Sequence, residues 1–203
     1  MSPHHTPMKK VEPIRSLKQL SAIKNMLRWQ WKIRDLLLLE LWVNSALKIT
    51  DLLSLQTKHL YDEQWEPKTS FTIQERKTKK SNTIVITPKV TATLRHYAQQ
   101  HPSILANQEN YIFYSKKHIP HGTQQLDRRT ARKMINKRCS DVWLKWSYWW
   151  HTLRKTRGYQ ARLKGISIEL IQHRLNHISL RITKLYLGIT YQELNEACLK
   201  LDL

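Results

Sequence analysis

Acidic side chains are scarce in this chain. Only 15 Asp and Glu stand against 35 Lys and Arg, a formal net charge of +20 in 203 residues. A compact domain with that excess attracts polyanions, nucleic acid foremost. Ribosomal proteins, histone-like proteins and toxins share such a balance, so the charge narrows the partner and not the activity. Cysteine is nearly absent too. Cys139 and Cys198 lie far apart with no C-x-x-C pair, which reads as two reduced core thiols in a reducing compartment. No apolar run approaches the ~18 residues that a membrane span needs. The opening MSPHHTPMKK has no apolar stretch of the kind a secretion signal carries. Repeats and low-complexity segments are missing. His4 and His5 fall in a polar tail, and His118-x-x-His121 has no second pair at a usable spacing. Both pairs read as solvated histidines, and neither a metal nor a cofactor is expected.

Hydrophobic residues make up 40% of the chain, enough for one globular core. Basic residues are interleaved with apolar ones throughout, which predicts a basic folded surface and not a basic tail. Residues 1–12 read as a flexible tail and 13–203 as one domain. A first helix is predicted from Leu17 to about Met26 with Ser16 as its N-cap. A longer, strongly apolar helix over 33–46 is the expected centre of the core. Trp29, Trp31 and Trp42 read as core and rim aromatics. Residues 71–87 alternate apolar and polar positions around a basic turn, which predicts a β-hairpin. Residues 88–101 open on a proline suited to a first helical turn, and 110–125 read as a short apolar stretch followed by a loop. A basic helix is predicted over 126–146. Its Arg128, Arg129, Arg132 and Lys133 form a cationic face suited to a DNA backbone, with a solvated helix face as the alternative. The fold class that results is mostly α with a small antiparallel β-sheet.

The most informative stretch runs from His151 to Tyr186. His151 and Arg154 are three apart, so on a helix they share a face. His177 follows Arg154 by 23 residues, and Tyr186 follows His177 by nine. Between them Ile166, Ile168, Leu170, Ile171 and Leu175 keep a roughly helical rhythm that would bury one side. The segment reads as two short helices and a turn that bring His151, Arg154, His177 and Tyr186 together. Such a set suits a phosphodiester. A guanidinium binds two phosphate oxygens in a fork, imidazoles shuttle protons near neutral pH, and a phenol among cations can attack as a nucleophile. The aromatic run WSYWW at 146–150 would wall this site.

With HTLR at 151–154, LNH at 175–177 and TKLY at 183–186, the stretch resembles the C-terminal active-site box of the tyrosine recombinase (phage integrase) family. That box reads H-x-x-R, then L-G-H, then Y, at matching intervals. NSALKITDLLSLQTKHL at 44–60 is similar to the family's first box, where Asp51 and Leu55 fit the pattern. Ala46 stands where glycine is usual, and Lys48 where the first catalytic arginine belongs. Positive charge is kept there while the planar fork is lost.

The resemblance implies the tyrosine recombinase catalytic-domain fold over roughly 13–203. It also implies a catalytic set of Tyr186, Arg154, His151, His177, Lys77 and Lys48. Tyr186 would attack the scissile phosphate and form a 3′-phosphotyrosyl bond. Arg154 and His177, with Lys48 in a diminished role, would stabilise the phosphorane. His151 would assist proton transfer or hold the phosphate. Lys77, in a K-T context on the hairpin, would protonate the leaving 5′ oxygen. Lys79 and Lys80 read as turn charges on the DNA-facing side. The implied activity is site-specific recombination of double-stranded DNA, with no metal and no ATP. Implied partners are further copies of the chain, as a tetramer on DNA, and a helper recombinase or accessory protein. The implied setting is the cytoplasm of a bacterium, on a plasmid or phage, or an organellar genome. A short amphipathic helix over about 190–201 would pack on a neighbouring protomer or cap its own chain. Little room is left for the N-terminal helical domain that most members carry, so the chain looks like a short, single-domain member. Lys48 keeps an alternative open: a DNA-binding relative with weakened or no cleavage. A generic basic nucleic-acid-binding helical protein is the other alternative.

Overall fold

The computed structural model describes residues 12–143 and 151–189, together with Asn195 and Leu199. Residues 1–11, the aromatic run 146–150 and most of the helix expected over 190–201 lie outside the described residues. The described elements, in order, are α1 (Leu17–Trp29), α2 (Ile33–Ser45), α3 (Ile49–Leu53), α4 (Thr57–Leu60), β1 (Ser70–Gln74), β2 (Ser81–Val85), α5 (Pro88–Gln100), α6 (Pro102–Leu105), α7 (Arg128–Asp141), α8 (Thr152–Leu163), α9 (Ile168–Leu175) and α10 (Leu180–Leu187). The mostly helical class with a small antiparallel sheet is the class observed.

Helix α2 is apolar around its whole circumference, and such a helix must be covered on all sides. It is: α1, α5 and α8 pack around it, and Leu36, Leu37, Leu38, Leu39, Leu41 and Trp42 are each at most 2% exposed. Of its two acids, Asp35 pairs with Arg34 at 2.9 Å and Glu40 is fully buried. The Glu40 carboxylate accepts from Thr93 Oγ1 at 2.7 Å and from Arg28 at 3.1 Å, with Lys24 at 3.7 Å. A buried charge is tolerable when paired in this way. Helix α1 begins where Ser16 caps it, Ser16 Oγ accepting from the Gln19 N–H, and runs a turn past the expected Met26. Of the three tryptophans, only Trp42 enters the core. Trp29 ends α1 and Trp31 occupies the turn to α2 at φ 53, which leaves them 85% and 77% exposed.

The hairpin forms as predicted, with β1 and β2 antiparallel and Ser70 opposite Val85 through Gln74 opposite Ser81. Phe71, Ile73 and Ile84 point into the core, while alternate residues face solvent, as period-2 patterning requires. The connecting residues 75–80 contain the three lysines. Helix α7 is shorter than the expected 126–146, because Asp127 caps its start and it ends at Asp141. Cys139 on α7 is a buried free thiol. Among the described residues, no helix is long and apolar enough to cross a membrane.

The segment 152–187 departs from the expected two helices and a turn, since it forms three helices, α8, α9 and α10. Ser179 Oγ accepts from the Ile182 N–H and starts the third. The predicted apolar stripe is also narrower than its sequence rhythm. Ile171 and Leu175 are buried, whereas Ile166 and Leu170 are 43% and 65% exposed.

If α2 is the core's keystone, Leu37→Ala should destabilise the protein by about 2–5 kcal/mol, the usual cost of emptying a buried leucine site. Urea denaturation monitored by circular dichroism checks this, and a loss below about 1 kcal/mol would remove α2 from that role.

Candidate active site

Three segments distant in sequence meet at Arg154. Helix α8 carries it one turn in from His151, which occupies the N-cap position. Arg154 is only 4% exposed. Its guanidinium donates to the carbonyl of Ala46 at 2.6 Å and to that of Leu175. These carbonyls lie at the C-terminal ends of α2 and α9, where unpaired C=O groups and the helix dipole favour a cation. One side chain therefore fastens the first box to the second and still has donors left over. Ala46 takes the left-handed conformation, φ 56, which costs a non-glycine residue about 1 kcal/mol. Its methyl packs with Ile171 and Leu175, which offsets part of that.

Asn176 ends α9 with φ 52, a conformation asparagine tolerates in place of glycine. The next residue is His177. Its Nδ1 lies 3.1 Å from the hydroxyl of the fully buried Thr183 on α10, so the imidazole is tied to the helix that carries Tyr186. Gly158 lets α8 and α10 come close, since a Cβ there would lie 2.6 Å from the tip of Leu187. The Tyr186 ring meets both histidines edge-on. Its centroid is 6.1 Å from that of His151 and 5.0 Å from that of His177. The Tyr186 hydroxyl donates to the His151 carbonyl at 3.3 Å, and Lys155 Nζ stands 5.2 Å over the ring.

The electrostatics follow from this crowding. Burial pushes the Tyr186 phenol up, while the charge of the neighbouring Arg154 pulls the other way. Burial, with Arg154, Lys48 and His151 adding to it, lowers the His177 imidazole to about 4, and Glu75 alone among the named neighbours opposes this. His177 is thus neutral at pH 7, able to donate or accept. Partial burial, then Arg154 and Lys155, lower His151 as well.

Lys48 lies beside this cluster as the N-cap residue of α3. Its Nζ is 2.5 Å from Oε2 of Glu75, a fully buried carboxylate in the hairpin turn. Burial works to raise that carboxyl. Hydrogen bonds from Lys48, Thr78 and Asn82, with the Asn176 amide contributing, outweigh burial and hold it at about 2.

Lys77 sits exposed in the same turn, next to Arg76, whose N–H donates to Asp51 at 3.1 Å. Among the described residues, it shows no hydrogen bond to Arg154, His177 or Tyr186. Lys79, at φ 58, and Lys80 are exposed beyond it. On α7, Arg128, Arg129 and Lys133 are exposed and Arg132 is half-buried. Arg128 and Arg129 line a cleft of about 360 Å³ together with Arg76 and Thr50, so α7 and the hairpin present one cationic surface. His118 and His121 lie exposed in a loop. No three metal-ligating side chains converge among the described residues.

The structure thus unites His151, Arg154, His177 and Tyr186, sets Lys48 alongside, and leaves Lys77 on an adjacent turn. Three contributors went unread in the sequence: Glu75, Lys155 and Thr183. Glu75 was visible as the lone acid of ERKTKK, and Lys155 as the neighbour of Arg154.

A phenol set among a buried guanidinium, two imidazoles and lysines suits phosphodiester chemistry, and comparison with known proteins gives the matching class. The family model described as "Phage integrase family" matches residues 16–193. A probable integrase/recombinase, YoeC of Bacillus subtilis, is 32% identical over 181 residues, covering 88% of this chain and 90% of YoeC. Two solved structures share the fold at 18% identity. XerA recombinase has a TM-score of 0.72 over 96% of this chain and 67% of its own. XerH, as the post-cleavage complex with a palindromic difH substrate, has 0.69 over 93% of this chain and 53% of its own. The chain belongs to the phage integrase family, that of the tyrosine recombinases. The family match and the relatives give the non-cleaving alternative no better support than the recombinase reading.

Because the folded state disfavours the His177 cation, the unfolded chain takes up the proton first as pH falls. Stability should therefore drop between about pH 6.5 and 4, by an amount on the order of 2 kcal/mol from this residue. His177→Gln should flatten the fall in melting temperature over that window relative to the parent. An unchanged slope would mean that the imidazole is not held neutral.

Proposed function

We propose that the chain is a site-specific recombinase that cuts and rejoins double-stranded DNA through a covalent bond to Tyr186. One observation carries this reading: within a single chain, the Tyr186 ring stands edge-on to His151 and His177, with the buried Arg154 close enough for its charge to act on the phenol. The Tyr186 oxygen attacks the scissile phosphorus while the bond to the 5′ oxygen breaks. The tyrosine proton passes toward His151. Arg154 and His177 bind the non-bridging oxygens, where charge accumulates in the phosphorane, and Lys48 adds an ammonium. Lys77 swings in from its turn and protonates the leaving 5′ oxygen. The product is a 3′-phosphotyrosyl link and a free 5′ hydroxyl. Attack by a 5′ hydroxyl of another strand reverses the step and exchanges strands. Bond energy is kept in the protein–DNA link, so neither ATP nor a metal enters the scheme.

DNA lies across the cationic surface of the hairpin turn and α7. Lys79, Lys80, Arg128, Arg129, Arg132 and Lys133 contact phosphates there and add no sequence preference. XerH, similar in fold, has been captured with its difH substrate after cleavage, which supports DNA as the ligand. Strand exchange needs four active sites, which favours a homotetramer on DNA, assisted by a helper recombinase or accessory protein. The setting is the cytoplasm of a bacterium, on a plasmid or phage.

A duplex nicked near the cleavage point traps the covalent step. The parent chain should give an adduct that survives denaturation, Tyr186→Phe should give none, and Arg154→Ala should slow its formation by about 100-fold or more. Binding without an adduct, or an adduct that persists in Tyr186→Phe, would overturn the reading.

A further inference from the structure

Glu75 is the least expected feature of this basic site. Its side chain is fully buried, yet it receives Lys48 Nζ at 2.5 Å, Thr78 Oγ1 at 2.9 Å and Asn82 Nδ2 at 3.1 Å. Its backbone closes the hairpin turn, the N–H donating to the Lys80 carbonyl at 3.0 Å and the carbonyl accepting from the Lys79 N–H at 2.8 Å. The next residue, Arg76, donates its N–H to Asp51 Oδ1 at 3.1 Å. Two links therefore clamp the turn that bears Lys77 to the start of α3, and Glu75 forms the one that holds a functional cation.

We propose that Glu75 is a positioning residue for DNA cleavage, orienting the Lys48 ammonium toward the phosphate. The proposal rests on the recombinase reading above. A lysine ammonium is mobile on four methylenes, which is its weakness beside an arginine. A buried acceptor on one of its three N–H groups removes that freedom and leaves two donors for phosphate oxygens, as many as an arginine fork offers. Lys48 and Glu75 together thus do the work of a guanidinium. Thr78 and Asn82 in turn fix the carboxylate, so it is a rigid anchor and not a surface counter-ion. The carboxylate also offsets part of the positive field that acts on His177.

The test uses the full chain and the nicked duplex, reading single-turnover adduct formation and DNA affinity separately. Glu75→Gln keeps the shape but cannot hold an ammonium with a charge. It should slow adduct formation by about 10- to 100-fold while the DNA half-saturation point moves by less than about threefold. Lys48→Met should slow it similarly, and Lys48→Met with Glu75→Gln should be no slower than Lys48→Met alone, because the two residues act as one unit. That pair variant leaves no charge unpartnered, so it also serves if Glu75→Gln alone folds poorly. A Glu75→Gln rate within about twofold of the parent, or a pair variant slower than Lys48→Met by a further tenfold or so, would overturn the proposal. Absence of any adduct from the parent chain instead overturns the recombinase reading, and the proposal with it.

Discussion

The buried guanidinium of Arg154 is the contact on which the rest of this site depends. It donates to the carbonyls of Ala46 and Leu175, and so couples the end of the central helix α2 to the end of α9. Each carbonyl is the negative end of a helix and needs a donor. Remove the cation and both lose one in a place water does not reach, a penalty of about 1–3 kcal/mol for each buried group. The same geometry decides where His177 and Tyr186 stand. Leu175 is followed by the left-handed Asn176 and then by His177, whose Thr183 contact reaches α10. A structural cation and a reactive surface are thus made by one side chain.

The site is also a study in how a chain with a net charge of +20 packs cations together. Arg154, Lys48 and Lys155 crowd two imidazoles, which respond by staying neutral. Neutral imidazoles spare the free protein further repulsion and remain able to take a proton from a phenol. A DNA phosphate entering this field relieves the repulsion, so binding and organisation of the site reinforce one another. The buried Glu75 holds its charge through hydrogen bonds that reach it from several segments.

Much of this was legible in the chain itself. The helix around Leu37 declares itself by being apolar on every face, and the hairpin by its alternation around ERKTKK. The boxes HTLR, LNH and TKLY could be placed because the spacing of chemically special residues survives even when local structure is misjudged. That misjudgement was real: 151–186 reads as two short helices and a turn, but Ser179 starts a third helix and Ile166 and Leu170 stay exposed. Periodicity reports which residues could share a face and not whether a neighbour arrives to cover it. Trp29 and Trp31 mislead for the same reason. Glu75 escaped notice because its partners lie 27 residues upstream at Lys48 and across the hairpin at Asn82, a pairing that only the folded chain reveals.

The central claim is that one polypeptide builds the whole phosphate pocket, with Tyr186 facing Arg154 of its own chain. Mixing size-tagged Tyr186→Phe and Arg154→Lys chains on the nicked duplex tests it directly. Neither chain alone has both groups, so the mixture should form no more adduct than the Arg154→Lys chain does by itself. Robust adduct on the Arg154→Lys chain, appearing only in the mixture, would show that a neighbour's guanidinium activates the phosphate and would contradict the account.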